Sequence, residues 1–177
     1  KIKIIAANIE RQINLSKADI IRVKSCDEMY LETKRLVDKR QKNTIFISCA
    51  AVADFKPSLA IETKMKKDKD VDKINIELIK NIDILKEVGK SKNRPAIVVG
   101  FAAEDAKNLI QNAKSKLDSK NCDFIVANDI NQGNIFGSDS SSAYIVTKDY
   151  DNKVIGATKK DVAYAITKKI ISLTQGL

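Results

Sequence analysis

The 177 residues contain no histidine. That absence excludes a Ser-His-Asp or Cys-His nucleophilic mechanism and every metal site built on imidazole. Cys26, Cys49 and Cys122 are odd in number and far apart, so neither a disulfide framework nor a Cys-x-x-Cys metal site is expected. The setting this suggests is a reducing cytoplasm. Aromatic residues make up only 5%, no stacking motif or zinc spacing occurs, and the lysines are dispersed, all of which weighs against nucleic acid as a partner. No apolar run is long enough to span a bilayer and no secretory signal is present, so no membrane role is expected. No internal repeat, low-complexity linker or Gly-x-Gly-x-x-Gly turn interrupts the chain. It begins with Lys1 rather than methionine, as a fragment of a longer polypeptide would.

What is present is globular in balance, with 44% hydrophobic and 31% charged residues. A single domain of this length buries roughly 70% of its unfolded surface. Lysine and arginine number 32 against 23 acids, a net charge of +9. The plain reading of that excess is a solvated lysine surface, and the functional one is an anionic partner, with a phosphorylated small molecule ranked ahead of nucleic acid.

Hydrophobic patterning predicts alternating strands and helices. Ile2 to Ala7 and Asp19 to Val23 read as strands. Ser25 with Glu28 predicts a capping box for a helix reaching about Arg40, with Met29, Tyr30, Thr33, Leu36 and Val37 on one face. Ile45 to Ser48 predicts a strand buried on both faces, joined to the preceding strand by a right-handed crossover. Ile74 to Leu78 alternates as a flap or edge hairpin would, and Asn81 is placed to cap a short helix over Ile82 to Val88. Ala96 to Phe101 predicts a central parallel strand, Ala106 to Ser119 a helix, Phe124 to Ala127 a strand and Asn131 to Ser142 a loop. Ala143 to Thr147 with Val154 and Ile155 predicts a last hairpin, and Lys159 to Leu173 a closing helix. The expected fold is α/β, a Rossmann-like doubly wound and mostly parallel sheet with helices on both faces and a flap hairpin. In such sheets ligands bind outside the carboxyl ends of the strands, where Ser48 to Pro57, Phe101 to Glu104 and Asn128-Asp129 all fall.

The stretch Ile45 to Lys67 carries most of the chemistry. A buried-type strand gives way to small residues, Ser48 to Ala53, which let a ligand approach the backbone, and then to Asp54, Phe55, Lys56 and Pro57. Taken alone, Asp54 reads as a turn-former or helix cap. Cys49 has no identifiable activating base nearby and reads as a small buried residue. Lys64, Lys66 and Lys67 put three mutually repelling cations in four residues, a repulsion that a polyphosphate would relieve. Lys116 and Lys120 share a helix face, either as a lysine fringe or as a pair about an anion. Asn128-Asp129 reads as a structural turn.

SCAAVADFKP, then KMKK, NIDIL at Asn81 to Leu85, GFAAE at Gly100 to Glu104 and VANDI at Val126 to Ile130 follow in an order that resembles the phosphopantothenoylcysteine synthetase (phosphopantothenate-cysteine ligase) family. The resemblance runs through nearly the whole chain. It implies CTP-dependent amide ligation of 4'-phosphopantothenate and L-cysteine in coenzyme A synthesis through an acyl-cytidylate, with Mg2+, in a homodimeric cytoplasmic enzyme. FMN is implied only if a flavin-dependent decarboxylase lies upstream. By resemblance Ser48, Cys49 and Ala50 contact the nucleotide through their backbone and Asp54 through its carboxylate. Lys64 is the activity-critical lysine, Ile82, Asp83, Ile84 and Leu85 form a nucleotide loop, Phe101 walls the base pocket, and Lys116 and Lys120 contact the nucleotide. No metal ligand among the side chains is implied. Ile82 stands where the family has proline, which loosens the loop, and Ser141 stands where asparagine is expected. The family's first strand, its Gly-Gly-Thr loop and a Ser-Asn-x-Ser-Ser-Gly segment are absent, so residues 1–177 are expected to form one synthetase domain lacking its first strand and impaired in turnover. The rival readings are a nicotinamide-dependent Rossmann dehydrogenase, which needs the missing glycine turn, and a basic nucleic-acid-binding module, which needs steeply salt-dependent binding.

Overall fold

A computed structural model describes residues 1–9, 17–39, 43–59, 73–104, 107–129 and 140–175. In chain order its elements are β1 (Ile2–Ala7), β2 (Ala18–Val23), α1 (Cys26–Asp38), β3 (Ile45–Ser48), β4 (Phe55–Pro57), β5 (Leu78–Lys80), α2 (Ile84–Gly89), β6 (Ile97–Glu104), α3 (Leu109–Lys120), β7 (Phe124–Asp129), β8 (Ser140–Val146), β9 (Asp151–Thr158) and α4 (Lys159–Thr174). The class is mixed α/β with a mostly parallel sheet, as the alternating pattern predicts. Two compact units divide the chain. One comprises Lys1–Tyr30 and Ala51–Asp83, the other Leu31–Ala50 and Ile84–Leu177.

The larger unit holds a five-stranded sheet in the order β3-β6-β7-β8-β9. The first three strands run parallel, with Ser48 opposite Gly100 and Phe101 opposite Val126, and β7, β8 and β9 pair antiparallel. Strand β6 has the β-branched, almost purely apolar sequence of a strand covered on both sides, and Ile97, Val98 and Val99 are fully buried. Alternate side chains go to opposite faces. Ile97, Val99, Phe124, Val126, Ala143 and Ile145 pack with Val162, Ile166 and Ile170 of α4. Gly100 turns the other way. A Cβ there would lie 2.6 Å from Leu85 Cδ2 and 2.7 Å from Ile125 Cδ1, so only glycine lets α2 seat on that face. Helices therefore cover both faces.

Hydrogen bonds fix the amino end of the same sheet. Asn121 ends α3 in the left-handed conformation (φ 53°), and its Nδ2 donates to the Gly89 carbonyl at 2.7 Å. Its own carbonyl accepts from Arg94 Nη2 at 3.1 Å. That guanidinium also reaches Asp123 Oδ2 at 2.6 Å, which accepts the Val98 N–H at 2.6 Å. The capping box of α4 closes the chain: Thr158 Oγ1 accepts from the Asp161 N–H, and the Asp161 carboxylate accepts from the Thr158 N–H.

The smaller unit has two short sheets of its own. Strands β1 and β2 pair in parallel, and β4 pairs antiparallel with β5, Phe55 opposite Lys80 and Pro57 opposite Leu78. The Ser25 cap forms, with its Oγ accepting from the Glu28 N–H at 3.2 Å, while Glu28 Oε2 returns to the Lys24 N–H rather than to that of Ser25.

Several expectations shift. The described ladders form three sheets rather than one, so β2 and β3 share no ladder despite the helix between them. Strand β3 is an edge strand, with Ile45 39% and Ile47 44% exposed, rather than one buried on both faces. The hairpin strand lies at Leu78–Lys80 and not over Ile74 to Leu78, because the partner β4 sets the register. Helix α2 starts at Ile84, two residues later than expected, and β8 starts at Ser140, inside the stretch read as a loop.

Candidate functional site

In the larger unit Ser48, Cys49 and Ala50 leave the carboxyl end of β3, and the ladder sets Ser48 beside Gly100. Phe101 follows on β6. By parity it shares the face of Ile97 and Val99, and its half-buried ring packs against their cluster, so the reading as a core aromatic holds. Cys49 is exposed, which overturns its reading as a small buried residue. The small side chains after β3 leave the backbone open to solvent through Asp54, all of Cys49 to Asp54 being exposed. Ile84 and Leu85 begin α2 and are buried, with Leu85 lying against the Gly100 backbone. Ser48, Phe101 and Leu85 are thus brought together about one position of β6.

Lys116 and Lys120 are not brought to that edge by their backbone. Helix α3 leaves the carboxyl end of β6 and returns to the amino end of β7, and the Lys120 carbonyl lies where a Gly89 Cβ would be only 1.9 Å away. Both side chains are half-buried, and helical Cα–Cβ bonds tilt toward the helix N-terminus, here the carboxyl edge of the sheet.

In the smaller unit Asp54, Ile82 and Asp83 come together through the hairpin. The Asn81 N–H donates to the Asp54 carbonyl and Asn81 Nδ2 to the Ala53 carbonyl, each at 2.8 Å. One residue on, the Ile82 carbonyl accepts from the Cys26 thiol at 3.7 Å. Burial first, and then the neighbouring Asp27 carboxylate, push the Cys26 thiol pKa up, so it keeps the proton it donates. Lys56 spans from β4 to Asp27 at 2.5 Å. Asn81 and Ile82 are therefore tied to the small-residue stretch and to the first turn of α1. Asn81 does not act as the helix cap its position suggests. A cap accepts through Oδ1, whereas here the amide donates and Oδ1 is buried with no partner among the described residues. Only the pairing of β4 with β5, a long-range event, brings the Ala53 carbonyl within its reach, and no local pattern encodes that.

Lys64, Lys66 and Lys67 lie outside the described residues. Among the described residues, no group of three acidic or cysteine side chains is arranged to hold a metal ion. No described helix is long and apolar enough to cross a membrane.

Several of these segments are among those through which the sequence resembles a known family, and similarity extends over nearly the whole chain. A bifunctional coenzyme A biosynthesis protein, CoaBC, of Borreliella burgdorferi is 42% identical over 150 residues, 85% of this chain and 37% of that protein, so the chain spans about two-fifths of such a relative. The crystal structure of the C-terminal domain of a CoaBC protein superposes with a TM-score of 0.76 at 26% identity, covering 99% of this chain and 75% of that one. A Cab2 variant solved in complex with phosphopantothenate-cysteine shares the fold, with a TM-score of 0.64 at 15% identity over 90% of this chain and 55% of that one. With residues 1–173 matched end to end, the chain belongs to the family described as the DNA/pantothenate metabolism flavoprotein C-terminal domain.

Proposed function

We propose that the chain is the synthetase part of a phosphopantothenate-cysteine ligase, joining 4'-phosphopantothenate to L-cysteine at the expense of CTP. The observation that carries this reading is the match over residues 1–173 to a domain family whose relatives are named for coenzyme A biosynthesis. The gathering of Ser48, Phe101 and Leu85 in one unit, and of Asp54, Ile82 and Asp83 in the other, supports it.

The chemistry asks for positioning and charge stabilisation rather than a histidine. The phosphopantothenate carboxylate attacks the α-phosphate of CTP and pyrophosphate leaves. The cysteine amine then attacks the acyl-cytidylate carbonyl and CMP leaves. The exposed backbone of Ser48, Cys49 and Ala50 offers hydrogen bonds at the mouth of β3, where small side chains leave the approach open. Asp54, exposed and held through its carbonyl by Asn81, faces the ligand with its carboxylate. The backbone of Ile82 to Leu85 supplies donors, and Phe101 offers the apolar wall. Lys64 neutralises charge that grows on the phosphates in the transition state. Lys116 and Lys120 reach the phosphates along α3, in the direction their Cα–Cβ bonds tilt.

Bound with the triphosphate, Mg2+ would supply charge neutralisation there. FMN would be bound only if a flavin-dependent decarboxylase domain were fused upstream, and not by these residues. The working form is a cytoplasmic homodimer. The exposed apolar residues of the smaller unit, among them Phe55 at 57%, Leu59 at 79% and Leu78 at 55%, offer surface for a second subunit.

The test is pyrophosphate release and product formation by the complete parent protein, with phosphopantothenate and cysteine supplied together and CTP compared with ATP. A cysteine-dependent ligation product, faster with CTP, is expected. Lys64→Ala is expected to lower its rate by about 100-fold. No cysteine-dependent product from the unsubstituted protein would overturn the reading.

A further inference from the structure

Asn81 stands between the hairpin strand β5 and the Ile82 to Leu85 stretch. Its backbone N–H and its side-chain Nδ2 donate to two successive carbonyls, those of Asp54 and Ala53, both at 2.8 Å. The backbone bond alone would continue the antiparallel ladder of β4 and β5, and any residue could make it. The side-chain bond is different, because it fixes the carbonyl of the residue before Asp54 and so the peptide plane that leads into that carboxylate. Holding it leaves Oδ1 buried with no partner among the described residues, which is an unfavourable state for an amide oxygen. An asparagine serving stability alone would gain more by turning that oxygen to solvent or to a donor.

We propose that Asn81 is a positioning residue. It locks the Ala53–Asp54 backbone to the Ile82–Asp83 backbone, so that a bound nucleoside triphosphate meets the Asp54 carboxylate and the loop amides in one fixed arrangement. This rests on the reading of the site as a nucleotide site. Asparagine suits the role because it combines a donor with a short side chain. An aspartate there would face the Ala53 carbonyl with a second acceptor, and an alanine would leave that carbonyl without its donor.

The experiment compares the complete parent protein with its Asn81→Ala and Asn81→Asp variants, using CTP as the probe. CTP affinity by calorimetry and the KM for each substrate are measured separately, and the urea midpoint serves as a control. Asn81→Ala is expected to weaken CTP binding and raise the KM for CTP by about tenfold, and Asn81→Asp by more, with the KM for cysteine unchanged. A purely structural residue would lower the urea midpoint and the active fraction while leaving the KM for CTP as it was. That result, or an equal rise in the KM for cysteine, would overturn the proposal while the ligase reading stands. If the unsubstituted protein neither binds CTP nor forms product, the ligase reading fails and this inference falls with it.

Discussion

The two compact units solve the problem of holding a backbone in place by opposite means. In the larger one, Val98, Val99, Phe124, Ile125, Val126 and Val146 have no solvent exposure, and helices press on both faces of the sheet. In the smaller one, Phe55, Leu59, Ile74, Ile76, Leu78 and Ile79 are all exposed, and the described order comes from short ladders and single bonds such as those of Asn81, Cys26 and Lys56. Apolar burial resists any local change because many contacts share the load. A segment tied by a few directional bonds keeps its geometry while leaving its surface open to a ligand. The difference teaches that one chain can hold its backbone by shared burial in one region and by a few directional bonds in another.

Substitutions can break or sharpen that contrast. The largest effect is expected from Phe124→Ala, which empties the centre of the larger unit and should cost about 3–5 kcal/mol in urea unfolding. Gly89→Ala comes next. The new methyl group would meet the Lys120 carbonyl, main chain that no rotamer change can move aside, and about 3 kcal/mol should be lost. Thr158→Ala removes one half of the α4 capping box, for about 1 kcal/mol at neutral pH. The Thr158 hydroxyl, and then its N–H, hold the Asp161 carboxyl pKa below the usual range. That stabilisation is present above the ordinary carboxylate pKa and is lost as pH falls through the lower folded value, so an acid titration of stability should be shallower in the variant. Phe55→Ser, on the exposed hairpin, should move the urea midpoint by less than about 0.5 kcal/mol. A large loss from Phe55→Ser, or a small one from Phe124→Ala, would erase the contrast.

The strands and helices of the larger unit were legible wherever their pattern is local. Ala96 to Phe101 announces a central strand because continuous β-branched burial needs cover on both faces, and β6 has it. The same logic misplaced β3, whose apolar run is equally convincing but whose outer side is exposed. Run composition reports what a strand could bury and not how many neighbours it has. The hairpin was foreseen but set out of register, since Ile74 to Leu78 alternates more regularly than Leu78–Lys80 while β4 dictates the pairing. Ser48 to Asp54 and the NIDIL stretch were singled out through their resemblance to family motifs, and the structure shows Cys49 to Asp54 exposed and Asn81 bonded to Asp54. The role of Asn81 was not legible, because a residue ahead of a helix looks the same whether its amide caps that helix or reaches a carbonyl 28 residues away.

One further consequence follows from β3. Among the described residues its outer side has no strand partner, and the side chains of Ile45 and Ile47 are exposed. No proline or charged side chain within Ile45–Ser48 blunts it. An edge of this kind accepts one more strand, whether from the same polypeptide or from another copy, and either would be expected to cover the two isoleucines.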